Sequence, residues 1–372
     1  MQSKRNFTTL FLLIVTTGGG LLFQTVNGHA RRPEKKSKPP SQLNSLFQKT
    51  FDNLHSERFE EAIQTATQLR HEYPDEPAGA FGLLTAYQTI SRNYRVRLYD
   101  SKIDSLLNLS IDLAEQAIKK NKKNGLNHFY LGVAYGMRCI NFANQRQLFS
   151  ALKNGSKVLN SFNKAIRYDP EFYDSYYGMG LFKYWLAAKS QFIRALPFSK
   201  NKRREGIEQI KLAIKKGRFL NVDAKYGLTT IYMNENEYEK ALNITDELIK
   251  SYPGNPTLLY RRGRIYQALE KWQEAKECFV RLHKILLTTA YQSKSFQIDC
   301  LLQQAKCAYQ MGQYDDSEQF CQAALSQQKQ CNFSEELDGP MEKFSEIKDE
   351  LQKLAKQLKS SQLSHVGSEE DH

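Results

Sequence analysis

The stretch LYRRGRIY, residues Leu259–Tyr266, is followed nine residues later by Ala275, and the same arrangement recurs along the chain. The stretch YGLTTIY ends at Tyr232, which likewise stands nine residues before a small residue, Ala241. From Ala241 to Ala275 the period is roughly 34 residues, a length typical of repeat proteins in which each unit is one pair of helices. The sequence therefore predicts a chain built from successive helix hairpins.

The residues that recur at this period resemble those of the tetratricopeptide repeat. In that family a small residue lets two antiparallel helices approach, and aromatic side chains fill the space around it. The small residues are Gly132, Gly180, Gly263 and Ala305 in the first helix, and Ala62, Ser110, Gly206, Ala241, Ala275 and Ser317 in the second. A proline that follows a tyrosine, as at Pro74 and Pro253, ends the second helix. The resemblance implies an all-α fold, a right-handed α-solenoid.

The repeat divides residues 43–331 into about seven helix hairpins, three of which are enlarged. The units are 43–76, 77–124, 125–172, 173–221, 222–255, 256–297 and 298–331. The stretches LLTAY (Leu83–Tyr87), LGVAY (Leu131–Tyr135) and MGLFK (Met179–Lys183) follow one another at a longer, constant interval. This interval of about 48 residues exceeds the basic period by roughly 14, which predicts about two extra turns on each helix of a hairpin.

The chain after Cys331 has the pattern of a helix that covers the end of a solenoid. Its apolar residues stand at helical spacing: Phe344, Ile347, Leu351, Leu354 and Leu358. A solenoid needs such a cap because its last apolar face has no following repeat. Residues 332–359 are therefore predicted to form a capping helix, and residues 360–372 a disordered tail.

The N-terminus has the order of a secretory signal peptide. Lys4 and Arg5 precede an apolar stretch, residues 7–23, and small residues follow it. Residues 1–28 are predicted to be a signal peptide, so that the protein is exported, to the periplasm or outside the cell. The alternative is a signal anchor in the membrane, although 17 helical residues reach only about 25 Å, less than the roughly 30 Å of a hydrocarbon core. Residues 29–42 form a basic, proline-rich linker.

The sequence contains no arrangement that indicates catalysis. None of the six cysteines forms a CxxC motif or stands at zinc-binding distance from a histidine, and no nucleotide-binding or hydrolase motif is present. We therefore predict no enzyme activity, no catalytic residue, no cofactor and no metal. The sequence does not decide between free buried thiols and disulfides among Cys300, Cys307, Cys321 and Cys331.

The resemblance implies a binding surface instead. In tetratricopeptide proteins the first helix of each hairpin lines a concave groove that holds an extended peptide or a partner helix. The residues predicted to line it here are Phe81, Phe129, Tyr177, Tyr226, Asn234, Tyr260, Arg261, Arg264 and Lys306. Arginine suits carboxylate recognition because its planar group can hold two oxygens. The family's set of Lys and Asn residues for chaperone tails is absent, so only a general preference for acidic peptides is predicted.

These patterns favour a non-enzymatic exported scaffold that binds a protein or peptide partner, for example in cell-envelope assembly. The alternative is a protein that binds an anionic polymer or an anionic membrane surface through residues 31–38 and 200–204. Six of the 13 net positive charges lie in residues 1–42. The inserted segments 91–100, 140–149 and 189–204 mix basic with aromatic residues, which suits nucleic acid or long helices that pack on each other. For these segments we favour long, packed helices over nucleic-acid binding. The sequence does not decide the oligomeric state or the identity of the partner.

Overall fold

The computed structural model describes residues 41–144, 147–189, 199–332, 334, 336–339 and 341–369. The predicted signal sequence, nearly all of the basic linker, and Arg146 and Arg194 of the inserted segments lie outside these residues. Fifteen α-helices account for almost all of the described chain, and no β-strand occurs in it. None of these helices is long and apolar enough to cross a membrane.

The helices follow one another with short connections. Their bounds are α1 Ser41–His55, α2 Phe59–Glu72, α3 Pro77–Tyr94, α4 Asp100–Lys120, α5 Gly125–Asn144, α6 Leu148–Tyr168, α7 Asp174–Lys189, α8 Ser199–Lys216, α9 Asn221–Asn234, α10 Tyr238–Ser251, α11 Pro256–Ala268, α12 Trp272–Thr288, α13 Lys294–Gln310, α14 Tyr314–Gln328 and α15 Phe344–Glu369. The predicted all-α solenoid is confirmed, since seven successive hairpins are followed by one more helix.

Small residues allow the two helices of a hairpin to pack closely. A methyl group added to Gly263 would lie 2.6 Å from the Phe279 ring, and one added to Gly132 would lie 3.0 Å from the Phe162 ring. Side chains essentially never approach to 2.6 Å and rarely approach to 3.0 Å, so glycine at these positions allows the helices to pack at this distance. The spacing of small and aromatic residues in the sequence therefore reports contacts between paired helices.

The four hairpins of regular length share one turn conformation. Each has three residues between its helices, and the second of the three has a positive φ: Glu57, Asn236, Glu270 and Gly312, at 59° to 73°. This left-handed conformation reverses the chain at the end of a helix and suits glycine and asparagine best. Glu57 and Glu270 adopt this conformation although their side chains disfavour it. In this position the Glu57 carboxylate contacts neighbouring hairpins.

The enlarged hairpins contain longer helices. Helices α3 to α6 have 18 to 21 residues, whereas α9 and α10 have 14 each. Seven more residues add about two turns to α4 and α6. The 48-residue spacing therefore reflects helix length in the second and third hairpins. In the fourth hairpin α7 and α8 have 16 and 18 residues, and residues 190–198 between them lie outside the described chain.

The C-terminal helix covers the last hairpin and differs from the predicted bounds. Ile347, Leu351, Leu354 and Leu358 of α15 pack against α13 and α14 and are almost completely buried. The helix begins at Phe344, twelve residues later than the sequence predicted, and it continues to Glu369 instead of ending before a disordered tail. The residues before it are used for contacts with the second and seventh hairpins, which the helical pattern does not show.

Candidate partner-binding surface

The solenoid closes on itself, because the residue that follows α3 contacts α13. Arg95 Nη1 donates to the Asp299 carboxylate across 2.8 Å, and the two side chains are only 2% and 0% exposed. The Arg95 guanidinium also lies 3.7 Å from the centre of the Phe296 ring. These contacts join the second hairpin to the seventh, 204 residues further along the chain.

The segment before α15 reinforces this closure. The backbone N–H of Leu337 donates to the Arg95 carbonyl across 2.9 Å. The neighbouring Glu336 carboxylate accepts hydrogen bonds from the Ser293 hydroxyl and the Ser295 N–H, each across 2.7 Å. A carboxylate in this position also interacts favourably with the positive N-terminus of α13. The segment thus connects both hairpins.

Two of the predicted groove cations are paired within the chain. Arg264 binds the Glu342 carboxylate across 2.7 Å, and Lys306 binds Glu350. Tyr260 is 2% exposed, and the Arg95 guanidinium lies 4.8 Å from its ring centre. The C-terminal part of the predicted groove therefore does hold carboxylates, but they belong to the protein itself. The repeat pattern gave no sign of this, because both acids lie beyond the last repeat.

The predicted groove residues Phe81 and Phe129 lie in the interior. They are 2% and 1% exposed and pack in an aromatic cluster with Phe47, Tyr130 and Phe219. The Phe47 ring of α1 lies 5.0 Å from the Phe219 ring, at the start of the fifth hairpin. From the sequence we predicted that both rings line an open groove. In the structure, helix α1 covers that part of the concave surface.

Asn234 takes part in a separate polar network on α7, α8 and α9. Its side-chain amide donates to the Tyr184 hydroxyl across 2.7 Å, and that hydroxyl donates to Glu235 across 2.6 Å. Arg203 pairs with the same Glu235 carboxylate across 2.9 Å. Asn234 is therefore not grouped with the predicted arginines, and its contacts hold neighbouring hairpins together.

The part of the concave surface that stays accessible contains two arginines and two tyrosines. We call Arg92, Tyr177, Tyr226 and Arg261 the inner arginine site. Arg261 on α11 donates through Nη1 to the Tyr226 carbonyl across 2.9 Å, and its guanidinium lies 5.5 Å from the Tyr226 ring centre. Helix α3 brings Arg92 to the same region, because the neighbouring Asn93 accepts a hydrogen bond from Thr257, one turn before Arg261.

The electrostatics of the inner arginine site show that it lies inside the solenoid. The surrounding protein desolvates the Arg92 and Arg261 guanidinium groups and lowers the pKa of both. The Arg92 side chain is nevertheless exposed to solvent. A group that is both desolvated and exposed lies in a recess, with protein on several sides and an opening to solvent. Tyr177 interacts electrostatically with both arginines, and burial raises the pKa of its own hydroxyl. The Arg92 and Arg261 guanidinium groups therefore both lie near Tyr177.

Neither arginine of this site has an acidic partner among the described residues. Asp223 acts electrostatically on both Tyr177 and Tyr226, and Glu57 also acts on Tyr226. The Asp223 carboxylate is hydrogen-bonded to His55 Nε2 across 3.1 Å, so it does not neutralise the arginines. The sequence singled out Arg261 but not Arg92, whose only signal was its place in the basic and aromatic segment 91–100.

The turn of the first hairpin forms one wall beside the inner arginine site. The Glu57 carboxylate accepts hydrogen bonds from Asn93 and Tyr94, each across 2.9 Å, and from Asn255 across 2.6 Å. One carboxylate thus joins the first, second and sixth hairpins. Burial raises the pKa of Glu57 to about 7, although the three hydrogen bonds oppose this shift. Burial lowers the pKa of His55, but Asp223, Asp52 and Glu57 together raise it above its ordinary value.

These two groups predict a pH dependence of stability with a definite sign. A folded-state pKa above the unfolded value means that the folded protein binds the proton more tightly, so stability present at low pH is lost as the pH rises through the folded pKa. For Glu57 this stability is lost as the pH rises from 4.5 to about 7. The raised pKa of His55 changes the stability in the same direction. We expect the free energy of unfolding, measured with urea, to fall by about 2 kcal/mol between about pH 5 and pH 8.

Glu57→Gln should remove most of this fall. A glutamine amide can accept from both asparagines and donate to the Tyr94 hydroxyl, so the variant should fold. An equally steep fall in the variant would contradict the role of Glu57.

The described residues provide no group of His, Cys, Asp and Glu side chains that could hold a metal ion. All six cysteines are free thiols, five of them buried. Burial raises the pKa of the Cys278, Cys307 and Cys321 thiols to about 11, which leaves them protonated and weakly reactive.

Two neighbouring stretches of the chain match a known family model. Residues 223–255 and 257–285 match the tetratricopeptide repeat, and they correspond to the hairpins α9–α10 and α11–α12. These two hairpins are therefore similar to tetratricopeptide repeats. No enzyme family is indicated, and no curated protein matches the sequence.

Solved structures of tetratricopeptide proteins and other helical repeats show distant similarity. The Cut9–Hcn1 complex of the APC/C is 14% identical, with a TM-score of 0.48, over 77% of this chain and 45% of that one. PilW, a type IV pilus biogenesis factor, is 15% identical, with a TM-score of 0.43, over 63% and 92%. A tetratricopeptide protein from Parabacteroides merdae is 14% identical, with a TM-score of 0.36, over 85% and 98%. Similarity at this level says nothing about a partner.

Proposed function

We propose that the protein is a non-enzymatic, exported scaffold that holds an extended acidic segment of a partner protein at the inner arginine site. The observation that supports this most directly is the difference between the basic side chains of the concave surface. Arg264 and Lys306 are already paired with Glu342 and Glu350. Arg92 and Arg261 face the enclosed space and have no acidic partner among the described residues.

The chemistry of the site favours a carboxylate as its occupant. A guanidinium group forms two parallel hydrogen bonds with a carboxylate, and such bonds are stronger than those between neutral groups. The Arg261 side chain is half-buried, and desolvation by the surrounding protein lowers the pKa of both arginines. Ionic attraction is stronger in such surroundings than at an open surface. Tyr177 and Tyr226 add apolar surface beside the charges, which suits an acidic segment that also contains apolar side chains.

A labelled peptide tests this assignment. The probe is a ten-residue peptide of alternating glutamate and leucine, and its control is the same peptide with glutamine in place of glutamate. We expect Arg92→Gln with Arg261→Gln to weaken binding of the acidic peptide at least tenfold, measured by fluorescence anisotropy, because each arginine contributes about 1.5–3 kcal/mol in a charged hydrogen bond.

The matched control replaces two exposed lysines of α15, Lys348→Gln with Lys353→Gln, and removes the same charge at a distant surface. This control should bind the acidic peptide within about twofold of the wild type. The assignment fails if wild-type protein binds the glutamine peptide equally well, or if both double variants lose affinity to the same extent.

Export is the second part of the proposal, and it is supported by the order of basic, apolar and small residues in residues 1–30. The intact mass of the native protein from separated cell fractions tests it. A soluble exported protein that begins at or near His29 or Arg31 would support the proposal. A full-length protein in the membrane fraction would make residues 7–23 an anchor, and a full-length cytosolic protein would contradict export.

A further inference from the structure

One edge of the solenoid carries a row of positive charges that the proposed partner site does not use. The second helices α4, α6 and α8 end in basic residues, and the exposed cations there are Lys119, Lys122, Lys123, Arg167, Lys215, Lys216 and Arg218. None of them has an acidic partner among the described residues. Lysines at helix C-termini interact favourably with the helix dipole, but that accounts for one or two cations per helix and not for their alignment.

Contacts between neighbouring hairpins show that these cations form one continuous edge. The His128 ring donates a hydrogen bond through Nε2 to the Lys122 carbonyl across 2.9 Å, and it lies 5.3 Å from the ring of Tyr168 at the end of α6. The connection after α6 then brings Tyr173 to the end of α8, where the Lys216 amine lies 4.9 Å from its ring centre. The ends of α4, α6 and α8 therefore follow one another along the same edge.

Few acids interrupt this edge. Asp174 is buried and accepts hydrogen bonds from the backbone N–H groups of Arg218, Phe219 and Leu220, across 2.7 to 3.0 Å. Asp75, at the margin of the edge, is paired with Lys120. Glu76, Asp169 and Glu171 are exposed or partly exposed, and the seven cations outnumber these three acids. The edge therefore presents a strong net positive charge.

The chain outside the structure reaches the solenoid at the same edge. Helix α1 begins at Ser41, and the Gln42 amide donates to Glu72 at the end of α2 across 3.1 Å. Lys120 in turn reaches Asp75, in the connection that follows α2. Five basic residues, within 31–38, precede α1 in the sequence. Basic segments near a membrane bind anionic lipids.

We propose that this edge, formed by the ends of α4, α6 and α8, docks on the anionic phospholipid headgroups of a membrane surface. The edge lies at the ends of the second helices, whereas Arg92 and Arg261 lie on first helices inside the concave surface. The docked protein therefore keeps the inner arginine site available to a partner. The inference is independent of the acidic-peptide assignment, which uses none of these lysines.

Vesicle flotation with the full chain tests the proposal. The vesicles contain phosphatidylcholine and phosphatidylserine in a ratio of about two to one, and the comparison vesicles contain phosphatidylcholine alone. The edge variant combines Lys122→Gln, Lys123→Gln, Lys215→Gln and Lys216→Gln. We expect it to bind the anionic vesicles at least a hundredfold more weakly than the wild type, because each cation near such a surface contributes about fivefold to affinity.

The matched control removes four exposed lysines of α15: Lys348→Gln, Lys353→Gln, Lys356→Gln and Lys359→Gln. It loses the same charge and should bind anionic vesicles within about threefold of the wild type. The proposal is overturned if both variants lose affinity equally, if the edge variant binds like the wild type, or if phosphatidylcholine alone binds the wild type as well. Tighter binding of the wild type to duplex DNA than to anionic vesicles would also overturn it, in favour of a nucleic acid.

Discussion

Asp299→Leu is expected to lower the free energy of unfolding by about 3–5 kcal/mol, the largest effect of any single substitution considered for this protein. The Asp299 carboxylate is the only acid bound to the buried Arg95 guanidinium in the described chain, and Gln303 donates to it as well, across 2.8 Å. Removal of the acid leaves a positive charge inside the protein, 2% exposed, with no counter-charge. Arg95 Nε and Nη2 already lack hydrogen-bond partners among the described residues.

Urea denaturation measures the loss, and the double variant Arg95→Met with Asp299→Leu provides its control. Because the double variant removes both charges and fills the space with apolar side chains, most of the lost stability should return. A double variant as unstable as the single one would show that the ion pair is not the cause. Hydrogen exchange should also become faster in α3 and α13 of the single variant, since the pair connects these two helices.

Gly180→Ala is expected to destabilise the protein by about 2–3 kcal/mol, although alanine normally favours a helix. Helices α7 and α8 cross with backbone against backbone at this position. A methyl group on Gly180 would lie 2.6 Å from the Gly206 carbonyl oxygen, and one on Gly206 would lie 2.7 Å from the Gly180 carbonyl oxygen. The helices must therefore move apart to accept either methyl group, and the packing around Tyr184 is lost with them.

The same substitution at Gly136 should have the opposite sign. Gly136 lies within α5, and no atom outside its own helix backbone lies within 4 Å of the position that an added methyl group would occupy. Gly136→Ala should therefore stabilise the protein by about 0.5–1 kcal/mol, through helix propensity alone. Thermal unfolding of the two variants side by side is the measurement. Destabilisation by both would attribute the Gly180 effect to something other than the helix crossing.

Much of the fold could be predicted from the sequence because its main contacts are local. The 34-residue period marks Gly263 and its neighbours as the point where two consecutive helices touch, and the 48-residue period marks the longer helices. Both signals report contacts within one hairpin or between neighbours, and such contacts repeat with the sequence. Residues such as Phe344 and Leu351 likewise predicted the capping helix from helical spacing alone.

The closure could not be predicted in this way, and the interpretation of the groove depended on it. Closure follows from small rotations between successive hairpins, which add up over seven units and leave no periodic trace. The sequence pattern indicated no partner for Arg95 or Glu342, yet Arg95 is buried against Asp299 and Glu342 binds Arg264. Arg261 was identified because it lies within a repeat. Arg92 was not, since only the closed solenoid brings the two together.

The distance between Arg95 and Asp299 along the chain has a consequence for how the protein is made. Ribosomes add roughly 5–20 residues per second, so the 204 residues between the two partners take roughly 10–40 s to synthesise. Throughout that interval the second hairpin has no seventh hairpin to close against, and the Arg95 charge stays in water. The final closure is therefore among the last steps of folding, and a nascent chain kept open for this long remains available to a translocation channel or a chaperone.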